Sequence, residues 1–75
     1  MRITLRIEVT STPEELRDLK EVLEPDFRDW SIKLEENVLI MTRDEISPSR
    51  ARALSVSLFR AIELFYNIRR LKDNL

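Results

Sequence analysis

The chain is predicted to fold as an α+β domain. Its order is β-α-β-β-α in two layers, a three-stranded antiparallel sheet with two helices on one face. Three observations predict it. Residues 2–10 alternate apolar and polar side chains with the period of a half-buried strand. Two further strand-like runs flank a tight polar turn at residues 35–37. A helix start at Thr12-Pro13 and a long Gly-free stretch from Ser47 to Leu75 supply the two helices.

In the first strand Ile3, Leu5, Ile7 and Val9 point one way, and Arg2, Thr4, Arg6, Glu8 and Thr10 the other. Thr12 is the expected N-cap of the first helix. Pro13 suits the first helical position and Glu15 completes a capping box. Leu16, Leu19 and Leu23, with Val22 beside them, form its apolar stripe, while Glu14, Asp18, Glu21 and Glu24 make its outer face acidic. Glu24-Pro25 ends it, because proline disfavours helical backbone at the residue before it. Phe27 is expected to fold back onto the core. Trp30, Ile32 and Leu34 alternate with Ser31, Lys33 and Glu35 in the second strand. With no Gly in the chain, Asn37 is the expected positive-φ residue of the Glu35-Glu36-Asn37 turn. Val38 to Met41 is apolar on both faces, which suits a central strand, and Asp44-Glu45 close it.

A strand-helix-strand crossover followed by a hairpin, with the third strand in the middle, gives a KH-like or split-βαβ topology. The whole chain, residues 1–75, reads as one domain; it has no internal repeat and no linker long enough to divide it.

Composition narrows the function classes. There is no Cys, hence no disulfide and no thiolate metal site; no His, hence no imidazole chemistry; and no Gly, hence no phosphate-binding glycine loop. The adjacent acidic pairs Glu14-Glu15, Glu35-Glu36 and Asp44-Glu45 read as solvated termini and turns, since neighbours on a strand diverge and those on a helix point about 100° apart. A non-catalytic protein is expected, with no catalytic, metal-binding or cofactor-binding residue. The net charge of −1 conceals a split: seven Lys/Arg against twelve Asp/Glu in residues 1–46, and six against two in residues 47–75. No apolar run approaches the ~20 residues of a membrane span. The alternating start Met1-Arg2-Ile3-Thr4 does not read as a signal peptide, and a cytoplasmic protein is expected.

On a helical wheel Ala51, Leu54, Leu58, Ala61, Ile62, Phe65 and Ile68 of the last helix share the arc that the sheet should bury. Apolar residues also lie outside it: Phe59 and Tyr66 on one side, Ala53, Leu64 and Leu71 on the other, and Val56 among polar neighbours. Such a wide arc exceeds what an ordinary surface helix needs. The expected partner interface is therefore Val56, Phe59, Arg60, Leu64 and Tyr66. The competing reading makes these residues the edge of the core.

The segment Ser47-Pro48-Ser49-Arg50-Ala51-Arg52-Ala53-Leu54-Ser55-Val56-Ser57-Leu58-Phe59-Arg60 resembles the start of the last helix in the Pcc-type small subunit of the KEOPS complex. That family shows a Ser-rich helix start, then Arg-Ala, then Asn-Ser, then Leu-Arg-Trp. Here Arg52-Ala53 stands at Arg-Ala, Ser57 at the Ser, and Phe59-Arg60 at Leu-Arg. Val56 stands where Asn is usual and Ala61 where Trp is usual, departures that look like those of a diverged paralogue such as the second archaeal Pcc-type subunit. The Lys33-Leu34-Glu35 approach to the hairpin also looks similar. KEOPS-type complexes install threonylcarbamoyl on the adenosine beside the anticodon of certain tRNAs. The resemblance implies a non-catalytic subunit, homo- or heterodimeric with a Pcc-type partner and docked by helix packing on the Kae-type catalytic subunit. It further implies that tRNA is met through the complex, with no membrane and no small-molecule substrate.

The alternative is an autonomous KH-like RNA-binding module using Arg52, Arg60 and Arg70 on phosphates. Against it, a KH module clamps backbone with a Gly-X-X-Gly loop that this Gly-free chain lacks, and its first helix is acidic.

Overall fold

The computed structural model describes residues 2–73. Its elements are β1 (Ile3–Thr10), α1 (Pro13–Leu23), β2 (Ser31–Glu35), β3 (Val38–Glu45) and α2 (Pro48–Asp73). Asn74 and Leu75, assigned to the long helix from the sequence, lie outside the described residues.

The sheet order is β1-β3-β2, with β3 antiparallel to both neighbours. Two cross-strand rows face the helices: Val9, Leu39 and Leu34, then Ile7, Met41 and Ile32. Leu39 and Met41 are fully buried there, against Leu16, Leu19 and Leu23 of α1 and Leu58 of α2. The opposite face carries Glu8, Ile40 and Lys33 in one row and Arg6, Thr42 and Ser31 in the next. The continuous apolar run in β3 follows from its central place. Its outward residues, Val38 and Ile40, are half-buried between the side chains of both flanking strands.

Local chemistry sets the helix ends. The Thr12 hydroxyl accepts the Glu15 N–H at 3.3 Å, and the Leu16 N–H donates to the Thr12 carbonyl at 3.0 Å. After Leu23 the chain tightens, with the N–H groups of Asp26 and Phe27 both reaching the Leu23 carbonyl. This turn lays Phe27 against the core and leads into the buried Trp30. Ser47 starts α2 by accepting the Ala51 N–H at its carbonyl and the Arg50 N–H at its hydroxyl.

The hairpin turn corrects one expectation. Glu36, not Asn37, carries the positive φ, at 40°. Glu35 pairs with Val38, so Glu36 and Asn37 form a two-residue loop whose left-handed position is the first of the two. The Asn37 carbonyl is meanwhile fixed by the Ser11 N–H at 3.1 Å, tying the loop to the β1–α1 junction. A residue with a Cβ is strained in the left-handed region. Glu36→Gly is therefore expected to raise the urea midpoint, by about 0.5–1 kcal/mol of stability.

Val22 and Ile68 correct two others. Val22 lies beside the stripe of Leu16, Leu19 and Leu23 but is exposed, because that narrow stripe is all that α1 buries. Ile68 was expected in the core arc and is 56 % exposed. The cause is length. A 26-residue helix spans about 39 Å, whereas an eight-residue strand spans about 27 Å. The sheet ends before the helix does, and burial along α2 fades after Phe65 and Tyr66.

Candidate interaction surface

Among the described residues, seven large apolar side chains are exposed: Val22, Ile46, Val56, Phe59, Leu64, Ile68 and Leu71. Five of the seven lie on α2, so this helix carries most of the unburied apolar surface.

The five do not share one face. Phe59 and Leu64 are separated by about 140° around the helix, at ~100° per residue. Phe59 keeps company with Val56 on one flank. Leu64, Ile68 and Leu71 lie on the other, next to a groove of about 400 Å³ between the C-terminal parts of the two helices. Val22 and Phe27 form the α1 side of that groove; Ala61, Leu64 and Ile68 form the α2 side. The interface set read from the sequence thus divides. Val56 and Phe59 belong to one flank and Leu64 to the other. Arg60, exposed, lies in a shallow depression with Glu63, Leu64 and Asn67.

Tyr66 belongs with the core rather than with either exposed flank. Its ring meets Phe65 edge-on at 5.2 Å between centroids, and both rings pack against the buried cluster. Its hydroxyl is buried near Ser11 and Glu15 without a hydrogen-bond partner of good geometry. Burial is the main cause that pushes the phenol above its usual pKa. Arg69 stabilises this end of α2 twice over. Its guanidinium lies 5.8 Å from the Phe65 ring centre, and it donates to Asp18 of α1 at 2.9 Å. Ile68 and Val22 are the apolar surface residues that the sequence reading placed inside; the spacing of Ala61, Leu64, Ile68 and Leu71 was the signal that marks their face.

Arg52, Arg60 and Arg70 are all exposed, but they do not converge. Arg52 and Arg70 share an angular position yet lie 18 residues, about 27 Å, apart along α2, and Arg60 is turned about 80° from both. That is a sparse cationic edge rather than a phosphate-binding cluster.

The Asp44-Glu45 pair at the end of β3 splits across the sheet. Asp44, on the open face, accepts from Arg2 and from the Thr4 hydroxyl. Glu45, on the helix side, is held by the Ile46 N–H at 2.9 Å and the Arg50 guanidinium at 3.0 Å. Arg43, its side chain 13 % exposed, reaches both Glu45 and Asp29. Among the described residues no group of three carboxylates converges as a metal cage. Arg2 and Thr4 hold the Asp44 carboxyl below the usual carboxylate range; for Glu45 the Ile46 N–H is the leading cause of the same shift. A depressed carboxylate pKa adds stability above the ordinary range near pH 4, and that contribution is lost as pH falls through the folded-state value. Asp44→Asn is therefore expected to lower the urea midpoint at pH 7, by a difference that shrinks as the pH falls below the ordinary carboxylate range.

No helix among the described residues is long and apolar enough to cross a membrane. Comparison with protein-family models, with curated proteins and with solved structures finds no match to this chain.

Proposed function

We propose that this chain is a non-catalytic scaffold subunit that docks on other proteins through α2, as part of a cytoplasmic KEOPS-like assembly that modifies tRNA with threonylcarbamoyladenosine. One observation carries the docking: five of the seven exposed large apolar side chains lie on α2, on two flanks of the helix. A domain this small gains little by leaving such surface in water, whereas interface centres are built from it. Placement in that assembly rests on the resemblance of Ser47 to Arg60 to the last helix of Pcc-type subunits. Its partners on this reading are a Pcc-type subunit and the Kae-type catalytic subunit, with tRNA met through the assembly.

Co-expression of the untagged chain with a Pcc-type and a Kae-type subunit, followed by size-exclusion chromatography, tests the proposal. Stable co-elution with at least one of them is the expected result. A folded chain that elutes apart from both would overturn it. Salt-dependent tRNA binding by the isolated chain would instead favour the RNA-binding module.

A further inference from the structure

We propose that an acidic amphipathic helix of a partner protein docks on the Val56–Phe59 flank of α2, with a carboxylate on each side of its apolar anchor. This rests on the docking reading given above and names the partner chemistry of one of its two flanks.

Charge on this stretch is one-sided. Residues 48–62 of α2 hold Arg50, Arg52 and Arg60 and no Asp or Glu. Arg50 is satisfied inside the domain, by Glu45 at 3.0 Å. Arg52 and Arg60 are exposed, and neither has a carboxylate partner among the described residues. A helix N-terminus favours anions, and the first turn of α2 supplies none of its own.

Position sets the two arginines around an apolar centre. Val56 follows Arg52 by four residues and precedes Arg60 by four, so one arginine stands a turn before it and the other a turn after. Phe59 is three residues on from Val56, and all four side chains start within about 100° of the helix circumference. Val56 is 41 % exposed and Phe59 55 %. Arg52 and Arg60 are about 12 Å apart along the axis. A partner helix with two Glu eight residues apart and a Leu midway matches this spacing in either direction. Its Leu covers Val56 and Phe59, and each carboxylate accepts from one guanidinium.

The Leu64 flank lacks this pattern, since its groove is rimmed by one charge of each sign, Asp26 and Arg69. An RNA backbone would use the arginines but brings no apolar group to cover Val56, which stands between them.

Nuclear magnetic resonance titration of the ¹⁵N-labelled full chain tests the proposal. The probe is a synthetic helical peptide with Glu at two positions eight residues apart and Leu midway; its control carries Lys for Glu. The acidic peptide is expected to shift the amides of residues 52–60 and to leave those of 64–71 in place. Arg52→Gln or Arg60→Gln should each raise its dissociation constant about two- to fivefold, and both together about tenfold. Both residues are exposed, so dispersed spectra of the variants will report an intact fold. Equal binding of the Lys peptide, unchanged affinity in the double variant, or no shift at about 1 mM acidic peptide overturns the proposal. Tighter binding of a single-stranded RNA oligonucleotide at the same amides overturns it in favour of a nucleic-acid surface. The docking reading is judged separately, by co-elution with the Pcc-type and Kae-type subunits, so the two failures are distinguishable.

Discussion

Leu58→Ala is expected to lower stability by about 2–5 kcal/mol, the range for emptying a fully buried leucine site. Among the described residues, Leu58 is the one large α2 side chain with no exposure, and it belongs to the same buried cluster as the α1 leucines and Leu39 and Met41 of β3. A domain of 75 residues has a total stability of about 4–11 kcal/mol. The substitution therefore removes a large share of it. At ~4–8 °C per kcal/mol for a domain this size, the thermal midpoint should fall by at least about 8 °C. Circular dichroism melts at one fixed protein concentration measure this, since any self-association adds a concentration-dependent term. A fall of less than about 1 kcal/mol would mean that Leu58 is not the joint between α2 and the sheet.

That joint is legible in the amino-acid sequence. Alternation in β1 and β2 and the doubly apolar β3 specify which strand is central and which face the helices cover, because register locks apolar positions to one side. The stripe Leu16, Leu19, Leu23 and the arc through Ala51 and Leu58 were equally visible, as helical periodicity reports burial directly.

Periodicity contains no information about where a neighbouring element stops. Ile68 repeats the angular position of Ala61, yet the helix has outrun the sheet by then. Tyr66 was misplaced for the opposite reason. It lies off the core arc on the wheel, but α1 begins nearby, and Ser11 and Glu15 lie close to its hydroxyl. The end of β3 shows a third kind of gap. Arg43 and Glu45 look like the polar end of a strand, but the strand runs through Glu45 and both side chains are covered on the helix side. A charge is admitted there because its partners come with it, and a pattern of apolar and polar letters does not register pairing.

Phe59→Ala, one residue from Leu58, should have the reverse effect. Phe59 is 55 % exposed, so truncating it leaves no sealed cavity, and stability should fall by about 1 kcal/mol or less. Association is where the loss is expected. Aromatic side chains at the centre of an interface typically cost 2 kcal/mol or more when cut to alanine, about thirtyfold in affinity. On the proposed function this flank, with Val56 beside Phe59, is a docking surface, and the Kae-type subunit is the partner to test against it. Titration calorimetry of the Phe59→Ala chain against that subunit should show the thirtyfold weakening. Full affinity together with a melt lowered as far as that of Leu58→Ala would return Phe59 to the core and leave this flank without a docking role.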